Sequence, residues 1–282
     1  MSTLSLRSML FVPGNRADRF GRALAAGADA ICIDLEDAVA QDAKSGARAA
    51  VMAYPAQAAL AGQHAALGVR INSIRTQDGL RDLAALADAP VLPDFLMIPK
   101  IAHPEEAAII AEAFPGLPLW PIVESAAGLF QAAAIAAAPS VAGLLFGAVD
   151  YAAECGCTLA WESLLYARSA LAAFRAAAGI QLLDVPALDI KDSAGLDATT
   201  RRARDLGFTG RACIHPAQVE TVNAAFAPSE AEIAAAHRLV QALREAAGAA
   251  ALLDGKLIEK PVILAAERVL ARAAALREAE HG

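Results

Sequence analysis

The sequence predicts an α/β fold, a closed (β/α)8 barrel of the TIM type that carries a C-terminal helical and lid extension. Short runs of β-branched and aliphatic residues alternate with alanine-rich segments of helical period, which is the pattern of βα units around a parallel sheet. Eight such units follow one another, and this number favours a closed barrel over an open sheet. A chain of 282 residues is within the range in which α/β barrels form one domain.

The predicted strands can be placed in chain order. They are residues 8–12, 30–34, 68–72, 95–99, 119–124, 143–147, 182–185 and 212–215.

The first helix is expected to begin at Asn15 as N-cap, because Asp18 lies three residues later, where a carboxylate suits a capping box. The uncharged window 132–149 is long enough to cross a membrane, but Pro139 and Gly143 interrupt it. We therefore interpret this window as a helix, a loop and a buried strand.

The residues after the eighth strand exceed what a barrel requires. A helix is predicted over 230–248, the segment ALLDGKLIEKPV resembles a hairpin, and a last helix is predicted over 263–280. We expect residues 1–228 to form the catalytic barrel and residues 229–282 to form a lid and an oligomer contact.

Charge and composition limit the classes of partner. A formal charge of −7 and a pI near 5.3 argue against nucleic acid or an anionic membrane as the main partner, and favour a small-molecule substrate. Arg7 interrupts what would be the apolar core of a secretory signal, so export is not predicted. The four cysteines lack CxxC spacing, so they are expected to be reduced thiols in the cytoplasm.

Acidic and polar residues follow several predicted strands at the point where each strand ends. They are Asp34, Glu36 and Asp37 after the second strand, Arg70 and Asn72 at the end of the third, Glu124 at the end of the fifth and Asp150 after the sixth. The C-terminal ends of barrel strands converge on one face, so these side chains are expected to meet. Carboxylates on adjacent strands five and six suit Mg²⁺, which takes oxygen ligands and retains positions for water and substrate. The alternative for each acidic residue taken alone is a helix N-cap.

Seven short segments in this order carry a family resemblance. They are LFVPGN, IDLEDAV, VRIN, MIPK, PIVESAAGL, LLFGAVDY and ACIHPAQV. Together they resemble the HpcH/HpaI aldolase superfamily, in its branch of citrate lyase β-subunits and malyl-CoA or citramalyl-CoA lyases, from about Arg7 to Val262. The resemblance implies a Mg²⁺-dependent lyase that assembles as a homotrimer or a homohexamer. It would cleave a 3-hydroxyacyl-CoA thioester to acetyl-CoA and a 2-oxo acid.

The resemblance also implies roles for the residues at the strand ends. Glu124 and Asp150 would bind the metal directly, and Glu36 and Asp37 would hold metal-bound waters or orient Arg70. Cleavage develops negative charge on the departing thioester enolate, and the Arg70 guanidinium is suited either to stabilise this charge or to bind a substrate carboxylate.

Two further roles are less closely fixed by the motifs. Lyases of this branch take their general base from an Asp of a neighbouring subunit, and the matching segment GKLIEKP has Glu259 at that position. Arg16, Arg19 and Lys100 are expected near the rim, where they would meet the phosphates of coenzyme A. The alternative for each of these four residues is an ordinary charged position on the surface.

Two other functions remain open from the sequence. One is a class II pyruvate aldolase that acts on free hydroxy-oxo acids, and the other is a citrate lyase β-subunit that is active only with an acyl-carrier partner. The GKLIEKP extension favours a thioester substrate. His215 is expected to make a structural hydrogen bond, and Trp120 and Trp161 are expected to be packing residues.

Overall fold

The computed structural model describes residues 6–60, 65–245, 251–253 and 256–281 of the chain. The chain divides into two compact units, Met1–Asn223 and Ala224–Gly282. The first unit contains the barrel, and the second contains the C-terminal helices and a hairpin. The assignment of the second unit as lid and oligomer contact stays a prediction.

The strands and helices are numbered in chain order. The strands are β1 Ser8–Pro13, β2 Ala30–Asp34, β3 Ala66–Arg70, β4 Phe95–Ile98, β5 Leu119–Val123, β6 Gly143–Phe146, β7 Gln181–Asp184, β8 Gly210–Cys213, β9 Ala251–Leu253 and β10 Lys256–Ile258. The helices are α1 Phe20–Leu24, α2 Lys44–Leu60, α3 Gln77–Ala87, α4 Pro104–Ala113, α5 Ala126–Ala136, α6 Ala148–Cys155, α7 Leu165–Ala178, α8 Ser193–Leu206, α9 Val219–Phe226, α10 Glu230–Glu245 and α11 Lys260–His281.

The first eight strands form the closed barrel that the sequence predicts. Each strand pairs in parallel with the next along the chain, and β1 closes the ring by pairing with β8, with Ser8 opposite Arg211. All eight predicted strands are confirmed, with ends that differ by at most two residues. The differences matter at the C-terminal ends, because Glu124 and Asn72 lie just beyond the last residues of β5 and β3.

Two glycines make room for the aromatic side chains inside the barrel. A Cβ atom at Gly68 would lie 2.0 Å from the Phe95 ring, and one at Gly143 would lie 2.4 Å from the Trp120 indole. Phe95 and Trp120 are 2% exposed and their ring centroids are 6.1 Å apart. Trp120 is therefore a packing residue, as predicted, and the barrel interior is filled rather than open.

The start of the first helical segment differs from the prediction. A 3-10 turn occupies Ala17–Arg19, Arg16 precedes it, and no side chain caps it. Asn15 is therefore not the N-cap. Asp18 instead accepts two hydrogen bonds from Arg16, at 2.9 and 2.8 Å, so its carboxylate is used in a fork and not in a capping box.

The window 132–149 forms the end of α5, a loop, β6 and the start of α6, as the sequence predicts. Among the residues that the structure describes, no helix is both long and apolar enough to cross a membrane.

In the C-terminal unit, β9 and β10 form the predicted antiparallel hairpin, and α10 packs along α11.

Candidate active site

The side chains predicted from the strand ends meet at the C-terminal face of the barrel. Arg70 is the last residue of β3, Glu124 follows β5 directly, and Asp150 lies in the first turn of α6. These three residues, with Asp34 and Asp37, line a cavity of about 480 Å³. The remaining walls are largely apolar and include Phe11, Ile122, Leu145, Val149 and Ile214.

Arg70 is held by carboxylates at the end of β2 and in the loop that follows it. Its Nε and Nη2 donate to the two carboxylate oxygens of Asp34 at 2.6 and 2.5 Å. Its Nη1 lies 3.0 Å from Glu36 Oε2 and 3.9 Å from Asp37 Oδ2, and its guanidinium stacks 5.2 Å from the ring centre of Phe11. The fork to Asp34 fixes the plane of the guanidinium, since a bidentate pair defines orientation as well as distance.

Asp34 orients Arg70, a contact for which the sequence gives no specific signal. Its carboxylate also accepts from the backbone N–H groups of Glu36 at 2.8 Å and Ala38 at 3.1 Å. It therefore orders the loop after β2 and orients Arg70 at the same time. The signal in the sequence is its place as the first acid of IDLEDAV, at the end of a buried strand.

Lys100 contacts the carboxylate cluster. Its Nζ donates to Glu36 Oε1 at 2.8 Å and lies 3.6 Å from Asp37 Oδ1. The Lys100 backbone has a φ of 55°, a left-handed conformation, and its N–H donates to Glu124 Oε1 at 2.5 Å. Lys100 therefore joins Glu36 to Glu124, and its ammonium is occupied by carboxylates.

Glu124 is the most constrained acid of the site. It is 5% exposed, and a Cβ atom at Gly147 would lie 2.4 Å from its Cβ and 2.8 Å from its Oε2, so position 147 must be glycine for this carboxyl to fit. Burial, followed by the nearby charges of Glu36 and Asp150, raises the pKa of Glu124 to about 8. Burial likewise raises the pKa of Glu36.

The donor set of Glu124 and Asp150 fits a hard cation. Among the described residues no three acidic, histidine or cysteine side chains converge on one point, so an ion bound here would take few ligands from the protein. Mg²⁺ binds in this way, through one or two carboxylates together with waters and substrate oxygens. A divalent cation would also offset the repulsion between acids that, after burial, raises the pKa of Glu124.

A buried network that the sequence does not reveal supports the loop after β2. Lys44 Nζ donates to the carbonyl oxygens of Leu35 and Glu36, both at 2.9 Å, and to Asn72 Oδ1 at 2.6 Å. Asn72 Nδ2 donates to Leu35 O and to Asp82, which is fully buried. All three ammonium protons of Lys44 are thereby used to fix the backbone that carries Glu36.

A second cavity, of about 370 Å³, opens next to the first along β1 and β8. It shares Phe11, Val12, Pro13 and Ile214 with the first cavity and reaches Arg19 and Arg22. Arg16 forms an exposed ion pair with Asp18.

His215 makes the structural bond predicted for it, since its Nδ1 accepts from the N–H of Ala217 at 3.2 Å and caps a 3-10 turn.

Glu259 lies in the C-terminal unit, between β10 and α11, and is exposed. Its carbonyl oxygen accepts from the N–H groups of Val262 and Ile263 in the first turn of α11. Its predicted role as base stays a prediction.

Comparisons with known proteins identify the family of the chain. Residues 7–216 match the family model of HpcH/HpaI aldolase/citrate lyase. The chain is 38% identical to a (3S)-malyl-CoA thioesterase of Cereibacter sphaeroides over 275 residues, which cover 96% of this chain and 95% of that protein. It is 31% identical over 296 residues to the mitochondrial citramalyl-CoA lyase of Homo sapiens, covering 96% of this chain and 86% of that protein.

A solved structure with the same fold carries ligands. The CitE protein of Mycobacterium tuberculosis, in complex with magnesium, acetoacetate and coenzyme A, superposes with a TM-score of 0.82. The two proteins are 34% identical over 96% of this chain and 98% of that one. The barrel, the carboxylates at its mouth and the matched sequence together show that the chain belongs to the HpcH/HpaI aldolase/citrate lyase family, which is a family of carbon–carbon lyases.

Proposed function

We propose that the chain is a Mg²⁺-dependent lyase that cleaves a 3-hydroxyacyl-CoA thioester of the citramalyl, malyl or citryl type to acetyl-CoA and a 2-oxo acid. The observation that carries this proposal is the pair Glu124 and Asp150 beside the clamped guanidinium of Arg70 in one cavity. The magnesium, acetoacetate and coenzyme A bound by the M. tuberculosis relative support the same combination of ligands.

The roles of the residues follow from the chemistry of the cleavage. Glu124 and Asp150 would hold Mg²⁺, which supplies Lewis-acid stabilisation of the negative charge on the oxygen of the oxo acid. The proton of the substrate hydroxyl passes to a base, the carbon–carbon bond breaks, and its electron pair forms the thioester enolate. The enolate then takes up a proton at carbon to give acetyl-CoA. Arg70, fixed in orientation by Asp34 and Glu36, donates to the developing negative charge.

The base is proposed to be Glu259 of a neighbouring subunit in a homotrimer or homohexamer. Glutamate differs from aspartate by one methylene, so its competence depends on geometry rather than on its chemical type. Glu36 and Asp37 are proposed to orient Arg70 and to hold waters on the metal. The ion pair between Arg70 and Glu36 supports this role.

The thioester is proposed to extend from the metal along β1 into the cavity that reaches Arg19. The two cavities share four lining residues, so one extended molecule can occupy both. Arg19 lines the distal cavity and is suited to a phosphate. Arg16 is paired with Asp18, so it would have to leave this ion pair to bind a phosphate. Lys100 is proposed to position Glu36 and Glu124 instead of binding phosphate, because both its ammonium and its N–H contact these acids.

The four free cysteines fit a reducing compartment such as the cytoplasm.

A product assay tests the proposal. Malyl-, citramalyl- and citryl-CoA are each incubated with the protein and Mg²⁺, and acetyl-CoA, free CoA and oxo acid are quantified separately. We expect equal amounts of acetyl-CoA and oxo acid from at least one thioester, and loss of both products in EDTA. Cleavage of free hydroxy-oxo acids but of no thioester would support the aldolase alternative. Activity only with an acyl-carrier protein would support the citrate lyase subunit.

Hydrolysis of the thioester is a second candidate function, because the relative from C. sphaeroides that is 38% identical over almost the whole chain is named a malyl-CoA thioesterase. Hydrolysis would release free CoA and malate without acetyl-CoA or oxo acid. The same product assay therefore separates the two reactions.

A further inference from the structure

A third cavity, of about 310 Å³, lies beside the candidate active site between α7, α8 and the segment after β7. We name it the Arg168 cavity, and its lining includes Trp161, Leu164, Arg168, Leu188, Leu196 and Arg211. It contains none of the acidic residues of the candidate active site, but the two cavities share the wall formed by Val149, Val185 and Pro186. We infer that the Arg168 cavity is a binding site for a short-chain organic carboxylate, separate from the proposed catalytic centre.

Arg168 is buried without satisfying its guanidinium. It is 5% exposed, its Nε donates to Asp184 Oδ1 at 3.1 Å, and the guanidinium lies 4.6 Å from the ring centre of Trp161 and 5.5 Å from that of Phe146. Its Nη1 is buried and has no hydrogen-bond partner. Oδ2 of Asp184 is likewise buried without a partner, so Arg168 and Asp184 are joined by a single hydrogen bond. A guanidinium with unused donors beside a cavity favours an anion there.

Arg211 gives the cavity a second guanidinium. It is 4% exposed, its Nε donates to the carbonyl oxygen of Val185 at 3.0 Å, and its Nη1 donates to the hydroxyls of Thr199 and Thr200, both at 2.9 Å. Its Nη2 makes no hydrogen bond to any residue that the structure describes. The cavity is therefore lined by two arginines that each retain donor capacity.

The charges of this region do not balance inside the protein. Arg168 and Arg211 share one fully buried carboxylate, Asp184, which leaves one net positive charge. Asp189 and Asp192 also line the cavity, but both are exposed, and each accepts a hydrogen bond from a nearby backbone N–H. Because both carboxylates are solvated, they act on the buried charge through a high dielectric constant and compensate it only weakly. An anion in the cavity would compensate it directly.

The lining selects the kind of anion. A planar guanidinium matches a carboxylate in size and shape, and one net positive charge matches a monoanion. The other walls are apolar, with Leu159, Leu164, Leu188 and Leu196, so they suit a short hydrocarbon body. A phosphate dianion would bring more charge than the site offers and would have no use for these walls.

Trp161 provides a direct signal for binding. The chain has two tryptophans, and Trp120 is 2% exposed in the barrel interior, whereas Trp161 lines the Arg168 cavity. Butyrate is titrated into the protein in EDTA while tryptophan emission is followed, with neutral butyramide and inorganic phosphate as comparison probes. We expect a saturable change with butyrate that Trp161→Phe abolishes, and binding about tenfold or more weaker for butyramide and for phosphate.

Two variants connect the signal to the cavity. Arg211→Met removes one guanidinium, and Ala187→Phe fills the cavity while leaving the arginines intact, so it decides the test if Arg211→Met fails to fold. In each folded variant, checked by circular dichroism, we expect butyrate to bind at least about tenfold more weakly. Equal binding of butyrate and butyramide, or wild-type affinity in folded Ala187→Phe, would overturn the site. Tighter binding of phosphate than of butyrate would overturn the ligand class.

Discussion

Replacement of Arg70 by lysine separates orientation from charge at the candidate active site. Lysine keeps the positive charge, but a compact ammonium cannot donate to both oxygens of Asp34 and also approach Glu36. One of the two charge-assisted bonds to Asp34 is lost, which is expected to cost about 2 kcal/mol of unfolding free energy. The loss of a preorganised donor to the developing charge is expected to raise the barrier by roughly 2–4 kcal/mol, about 30- to 1,000-fold in kcat/KM.

The chain provides a matched control for this variant. Arg7 forms the same kind of fork with Asp29, with Nε and Nη2 at 3.0 and 2.7 Å, but ahead of β1 and β2 and therefore at the opposite end of the barrel. Arg7→Lys is expected to lower the free energy of unfolding, measured by urea denaturation, by a similar or smaller amount and to leave kcat/KM unchanged. If Arg70→Lys retains wild-type kcat/KM while losing stability as Arg7→Lys does, Arg70 is a structural residue and the reasoning fails.

Three further predictions concern the metal and the base. Because the pKa of Glu124 is raised to about 8, mainly by burial, the metal-free carboxyl holds a proton at neutral pH. The affinity for Mg²⁺ should therefore increase about tenfold per pH unit from pH 6 to 8 and then level off, with proton release detected by calorimetry in two buffers; constant affinity over this range would contradict it. Gly147→Ala should displace Glu124, lower the stability by about 1–3 kcal/mol and weaken Mg²⁺ binding, and unchanged binding would show that the contact is not limiting. Mixing inactive Glu259→Gln subunits with inactive Glu124→Gln subunits should restore part of the activity, and failure despite demonstrated subunit exchange would remove Glu259 as a base supplied by a neighbour.

The sequence contains most of the information about the barrel and the mouth of the site. Short aliphatic runs define the strands, and the rule that their C-terminal ends converge brings Arg70, Glu124 and Asp150 to one cavity. This prediction depends only on local composition and on topology. Both are visible in the chain without knowledge of side-chain conformations.

Contacts between side chains distant in the sequence could not be predicted in the same way. The charge and position of Lys100 are equally compatible with a phosphate and with a carboxylate, and only the left-handed backbone at this residue directs its N–H to Glu124. Lys44 has no motif around it, because its partners are mostly backbone carbonyl oxygens. Trp161 is partly buried and stacks against the guanidinium of Arg168, a contact that depends on the fold of the loop before α7.

A calorimetric titration with Mg²⁺ tests the central claim, that Glu124 and Asp150 bind the metal on which the cleavage depends. The wild-type protein, Glu124→Gln, Asp150→Asn and the control Glu112→Gln, an exposed acid on α4, are compared at pH 8. We predict one binding site in the wild type and in Glu112→Gln, and no measurable binding in the two site variants, with circular dichroism unchanged because both substitutions conserve size. Unchanged affinity for Mg²⁺ in both folded site variants would contradict the account.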